Sequence, residues 1–170
     1  DQIQKRNTLE NTLINAIDND NNINFHKILK KKTSVPIKME ICSGNGEWST
    51  SCCASENKKS NNSSIWVTIE LRRDRVQRTF ASMVLKGCSS NMCVIGGDAS
   101  IIVSKNIALN SIDQLFINHP EPPERNSGVS KVANEQNSHL LNQSFLRNLK
   151  NIMKESGLLT IVTDNLPYGK

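Results

Sequence analysis

Pro36-Ile37-Lys38-Met39-Glu40-Ile41-Cys42-Ser43-Gly44-Asn45-Gly46-Glu47 decides how this chain folds. An apolar run ends on an acid, Glu40, and passes into a Gly-x-Gly turn at Gly44 and Gly46. Glycines in such a turn let the backbone approach a ligand closely, and the N-terminus of a following helix presents free N–H groups. One Gly-x-Gly pair is a weak signal, since many tight turns contain it. Two later carboxylates, Glu70 and Asp98, give it weight, because each also stands at the end of an apolar run. Three strand ends of this kind argue for one pocket.

Working outward, Val35 to Ile41 alternates poorly and reads as a buried parallel strand. A helix is expected from Trp48 to about Ala54, and the polar tract from Ser55 to Ser64 reads as a loop or disordered insert. Strand two is Ile65 to Ile69, ending at Glu70, and a helix from Asp74 to Lys86 follows, with Asp74 as its cap and Gly87 at its end. Met92 to Ile95 forms strand three and Ala99 to Val103 a short helix, before strand four at Ile112 to Ile117. The repeat of Leu140, Leu141, Phe145, Leu149 and Ile152 predicts a last helix over His139 to Glu155. That helix stops at Gly157, and strand five is Leu158 to Thr163. Before all of this, Ile3, Leu9, Leu13, Ile14 and Ile17 mark a helical stripe, and a short helix from about Phe25 to Lys31 leads into strand one. Strands alternating with helices predict a parallel α/β sheet covered on both faces, with ligands outside the carboxyl ends of the strands. The division expected is a helical segment over 1–34 and one α/β domain over 35–170.

The 170 residues are enough for one domain with a substantial core, and the formal charge of +5 permits an anionic partner such as RNA, although solvated lysines give the same balance. No stretch approaches the roughly 18 apolar residues of a spanning helix, so no membrane partner is expected. The first residues contain neither an apolar signal core nor an initiating Met, so the chain reads as a fragment from which a targeting segment could be missing. Cys42, Cys52, Cys53, Cys88 and Cys93 contain no Cys-x-x-Cys pair, which disfavours zinc and fits reduced thiols in a cytoplasmic or nuclear protein.

Glu70 stands where a carboxylate can accept from both hydroxyls of a ribose, or it is a solvated acid beside Arg72, Arg73 and Arg75. Asp98 can accept from the exocyclic amine of a bound base, with the Ala99 amide nearby, or cap the helix that follows; one residue can do both. A dinucleotide fingerprint wants a third glycine where this chain has Ser49. S-adenosylmethionine has no pyrophosphate to cradle, so the methyl donor is favoured over a nicotinamide cofactor.

Several segments together resemble the bacterial-type tRNA (guanine-N7)-methyltransferases: Pro36 to Glu47, Ile69 to Val76, Gly97-Asp98-Ala99, Pro120-Glu121-Pro122 and Val162 to Tyr168. The resemblance runs from about Pro36 to Tyr168. It implies a Rossmann-like class I methyltransferase fold, S-adenosylmethionine as cofactor with S-adenosylhomocysteine as product, and tRNA as substrate. By resemblance, Glu40, Ser43, Gly44, Gly46, Glu70, Leu71, Asp98, Ala99 and Asn118 line the cofactor site. Glu121 falls on the acid at the reacting centre, and Arg125 and Asp164 fall on substrate contacts. Guanine N7 already carries an in-plane lone pair, so no general base is required, and the site must mainly align the reactants. Asn118 and His119 are placed to line the cofactor methionine or a flipped base, or to pack the loop.

Three departures from the family stand out. Its Pro-Asp-Pro-Trp is Pro120-Glu121-Pro122-Pro123 here, with a longer acid and no aromatic stacking plane. The basic run after it is thin, since Arg125 is followed by Asn126-Ser127-Gly128, which predicts weak phosphate attraction from that loop. The chain also ends just after strand five, so the C-terminal strands and substrate motif are expected to be missing, and the strand-five edge becomes an association or dimer surface. A homodimer or an accessory subunit is therefore possible. These departures leave open a methyltransferase for another acceptor, or a non-catalytic cofactor-binding or interaction domain.

Overall fold

Central strands buried on both faces set the architecture. The computed structural model describes residues 16–59, 64–120 and 140–164. Its elements run α1 (Phe25–Ile28), β1 (Ile37–Ile41), α2 (Glu47–Lys59), β2 (Ile65–Glu70), α3 (Arg73–Leu85), β3 (Met92–Gly96), α4 (Ala99–Asn106), β4 (Ile112–Asn118), α5 (Gln143–Ile152) and β5 (Met153–Val162). Among the described residues the strands form one parallel sheet in the order β3-β2-β1-β4-β5. The order reverses between β1 and β4, so the crevice beyond their carboxyl ends is the place where such sheets bind ligands.

Each face of the sheet has its own apolar layer. Met39, Ile41, Val67, Ile69, Leu115 and Ile117 point to one face, where they pack with Ile102 and Val103 of α4 and with Phe145, Leu149 and Ile152 of α5. The i, i+4, i+7 spacing of the last three explains why α5 lies flat on the sheet, and Asn142 caps it by accepting from the Phe145 N–H at 2.9 Å. Phe25 and Val35 complete this layer ahead of β1. On the other face Trp66 and Met92 pack with Cys53 of α2, Met83 of α3 and Cys88. No helix among the described residues is long and apolar enough to cross a membrane.

Several boundaries differ from those read in the sequence. Helix α2 runs on to Lys59 instead of stopping near Ala54, because Glu56 is anchored. Its carboxylate pairs with Lys38 at 2.7 Å and accepts from Trp66 Nε1 at 3.3 Å. Asp74 does not cap α3; Arg72 occupies that position without a side-chain capping bond, and Asp74 sits in the first turn, where it pairs with the Arg72 guanidinium at 3.1 Å. Helix α1 is shorter than expected, and α4 extends to Asn106. Gly157 ends no helix: α5 stops at Ile152, and β5 begins at once and passes through Gly157. There the pairing with β4 shifts between Ile112 and Gln114. A Cβ on Gly157 would stand 2.9 Å from the Lys154 carbonyl and 3.2 Å from that of Ile112, so glycine marks an irregular strand here. The stripe read before Ile17 lies almost wholly outside the described residues.

Among the described residues β5 pairs with β4 alone. Leu158 and Val162 are exposed on one of its faces and Leu159 and Ile161 on the other.

Candidate functional site

Glu40 and Asn118 meet across the point where the strand order reverses. Asn118 Nδ2 donates to Glu40 Oε1 at 2.8 Å, joining the carboxyl ends of β1 and β4. Glu40 is almost completely buried, and that desolvation pushes its carboxyl above the usual carboxylate range. Ser49, in the first turn of α2, faces it and offsets part of the cost. No bond of ordinary geometry closes on the second oxygen, Oε2.

The glycine turn is held from two further elements. Glu70, at the end of β2, accepts from the Gly44 N–H at 2.8 Å and from the Arg72 N–H at 2.9 Å. Thr79, buried on α3, donates its hydroxyl to the Gly44 carbonyl at 3.2 Å. Gly44 and Gly46 both take positive φ, at 56° and 69°. A Cβ on Gly46 would collide with the Thr79 side chain, whereas a Cβ on Gly44 would meet no atom within 4 Å. Gly46 is required by packing, and Gly44 borders open space. Cys42 also takes a positive φ of 63°, an uncommon state for a residue with a Cβ.

Asp98 closes the third corner. Its Oδ1 accepts from the Ser100 N–H at 2.8 Å and from the Ser100 hydroxyl at 2.6 Å, so it caps α4. The Ser100 hydroxyl bond is the main reason its carboxyl stays below the usual range. Both bonds use one oxygen, and the side chain is exposed at the carboxyl edge. Ala99 follows, buried, while Leu71 beside Glu70 is exposed.

At the far side of the crevice the ends of β4 and β5 meet. The His119 N–H donates to the Val162 carbonyl at 2.8 Å, and His119 has a positive φ of 49°. Its Nδ1 lies 3.7 Å from Asp164 Oδ1, and both side chains are largely exposed. Glu121 and Arg125 lie outside the described residues.

The structure therefore brings Glu40, Ser43, Gly44, Gly46, Glu70, Asp98, Ala99 and Asn118 to one carboxyl edge, with Asp164 at its β5 end. Three buried atoms there lack a hydrogen-bond partner: Glu40 Oε2, Ser43 Oγ and Asn45 Oδ1. Beside open space at Gly44, this donor-poor set suits a ligand bringing hydroxyl and ammonium donors. Two participants are not visible from residue spacing. Thr79 clamps the turn from the middle of a helix, where its hydroxyl reads as ordinary helix polarity. Trp48, Trp66 and Phe116 form an aromatic trio beside Glu40, with Trp48 ring centroids 4.8 Å from Phe116 and 5.6 Å from Trp66. The register predicts part of it, since Phe116 pairs with Glu40 across β4 and β1 and so shares its face.

A carboxylate-flanked glycine turn at a parallel switch point is shared by many enzymes, and comparison with known proteins narrows it. The family model described as "Putative methyltransferase" matches residues 34–170. The chain belongs to that methyltransferase family. The tRNA (guanine-N(7)-)-methyltransferase of Chlamydia felis is 28% identical over 134 residues, covering 78% of this chain and 54% of that relative. The chain thus spans about half the length of the curated relatives it matches. Among solved structures, a SAM-dependent methyltransferase from Aquifex aeolicus superposes with a TM-score of 0.52 at 15% identity, covering 89% of this chain and 70% of that one. A precorrin-8w decarboxylase from Methanobacterium thermoautotrophicum also gives 0.52, at 14% identity, covering 78% and 56%. Those two likenesses establish the Rossmann-like fold of this family member and nothing about its reaction, since the two proteins are named for different chemistries.

Proposed function

We propose that this chain carries the catalytic domain of an S-adenosylmethionine-dependent methyltransferase that modifies N7 of a guanine in tRNA. The observation that carries the reading is the turn at Gly44 and Gly46, held by Glu70 and flanked by buried, unpartnered atoms of Glu40, Ser43 and Asn45. Membership of a methyltransferase family and likeness to tRNA (guanine-N(7)-)-methyltransferases support it.

The residues fit the cofactor. When bound, S-adenosylmethionine supplies an electrophilic methyl group on a sulfonium sulfur. Glu40 and Ser43 would face its ammonium end and Gly44 would allow close backbone approach. Glu70 would use its remaining lone pairs on the ribose hydroxyls, and Asp98 its second oxygen on the adenine amine. Asn118, held by Glu40, would present its carbonyl oxygen toward the crevice. Glu121 and Arg125, assigned by resemblance, would orient the acceptor and bind its backbone, with Asp164 beside them. N7 needs no proton removed, so these groups position and do not act as bases. The setting proposed is the cytoplasm, where unmodified tRNA is found.

Two measurements test this. Calorimetry with S-adenosylhomocysteine should show binding that Glu40→Ala and Asp98→Ala weaken. Labelled methyl should pass to unmodified tRNA, and Glu121→Ala should abolish transfer. Robust transfer to protein alone would defeat the tRNA reading; absence of cofactor binding would defeat the whole.

A further inference from the structure

His119 stands at the acceptor end of the crevice as an exposed ring with a carboxylate neighbour. It follows Asn118, which is tied to Glu40, and its own N–H is tied to β5 through Val162. Its backbone occupies the left-handed region, at φ 49°, which is unfavourable for a residue with a Cβ and is common where geometry serves a site. The ring turns Nδ1 toward Asp164 at 3.7 Å, so Nε2 points away from that carboxylate, and the side chain is 62% exposed. A ring exposed to this degree is not packing the loop.

We infer that His119 is the specificity-determining residue for the acceptor base, donating Nε2–H to O6 of a purine while Asp164 holds Nδ1–H. This rests on the guanine reading proposed above. Guanine presents two acceptors side by side, N7 and O6, whereas adenine presents N7 beside an amino donor. A donor fixed next to the N7 position therefore pairs with guanine and opposes adenine. Pro123, directly after Pro122, offers no aromatic plane to fix the base by stacking, so an edge contact has more to contribute here.

The test uses the full chain and a short RNA hairpin with one unpaired guanosine, or 2-aminopurine riboside, which keeps N7 and lacks O6. Wild type should favour guanosine by tenfold or more in kcat/KM, and in Kd measured with S-adenosylhomocysteine bound. His119→Ala should lose most of that preference by losing activity on guanosine, and His119→Gln, which restores an N–H donor, should recover part of it. S-adenosylhomocysteine affinity should stay within about twofold in both variants. A His119→Ala protein that keeps the wild-type preference overturns the inference, and so does one whose cofactor affinity falls in step with its activity. A wild type that binds S-adenosylhomocysteine but neither binds nor methylates the guanosine hairpin overturns the acceptor reading itself, and this assignment with it.

Discussion

The Glu70 carboxylate bridges two backbone amides, those of Gly44 at 2.8 Å and Arg72 at 2.9 Å, and so ties the glycine turn after β1 to the end of β2. A residue chosen from the sequence for a ribose thus already has a task in the protein itself. Glu70→Ala removes the acceptor of both amides. The expected cost is about 2 kcal/mol, from leaving partly buried donors unmatched. Glu70→Gln keeps one acceptor oxygen and should cost about half as much. Urea denaturation measures both, and an Ala variant as stable as wild type would mean that water replaces the carboxylate.

The two glycines of the turn should separate packing from binding. Gly46→Ala forces a Cβ into the Thr79 side chain on top of an unfavourable φ, so a loss of about 3 kcal/mol or more is expected. Gly44→Ala meets no neighbour and should cost about 1 kcal/mol, for φ alone. Its effect belongs in calorimetry with S-adenosylhomocysteine, where the added methyl enters the space assigned to the ligand and affinity should fall about tenfold or more. Equal stability of the two variants would contradict the packing seen at Thr79.

Glu40→Gln is expected to stabilise the unliganded chain at neutral pH. Burial raises the Glu40 carboxyl in the folded state, so between the ordinary carboxylate range and that raised value the folded chain holds a proton that the unfolded chain has released. Its contribution is present below this window and is lost as pH rises through it. Glutamine avoids the loss and still accepts from Asn118. The gain should be on the order of 1 kcal/mol at pH 7 and vanish at pH 4 in paired urea titrations. A gain that does not change with pH would assign it to something other than ionisation.

Asp98 tests whether one carboxylate serves two ends. Asn caps helices as well as Asp does, so Asp98→Asn should leave thermal stability almost unchanged, whereas Asp98→Ala should cost about 1 kcal/mol. Cofactor affinity should fall about tenfold in both, because each loses a carboxylate acceptor for an amine. Should the Asn variant bind S-adenosylhomocysteine like wild type, Asp98 is a cap alone.

The sheet was legible because Ile37 to Ile41, Ile65 to Ile69 and Met92 to Ile95 are apolar runs that end on turn residues, and a buried parallel strand must read that way. The carboxylates followed from the same boundaries. Helix ends were less legible, since they depend on partners distant in sequence. Glu56 extends α2 because Lys38 and Trp66 lie across the sheet face, and nothing near Glu56 in the chain announces either. Gly157 misled because a glycine after an amphipathic repeat looks like a helix stop, while its actual constraints are the carbonyls of Lys154 in its own strand and of Ile112 in the neighbouring one. Within the site, residue types showed which groups can bind a ligand. They did not show which groups hold one another, as Glu40 holds Asn118 and Glu70 holds Gly44.

Thr79 has a thermodynamic consequence for binding. With its hydroxyl on the Gly44 carbonyl and Glu70 on the Gly44 amide, both polar groups of that peptide unit's glycine are engaged before any ligand arrives. The conformational entropy of ordering the turn is lost on folding and not on association, so the site is preorganised. Cofactor binding should therefore proceed with little backbone rearrangement, and its heat-capacity change should reflect the surface covered by the ligand alone. A Thr79→Val chain would shift part of that ordering cost onto the binding step, making the entropy of association more unfavourable while the contacts to the ligand stay the same.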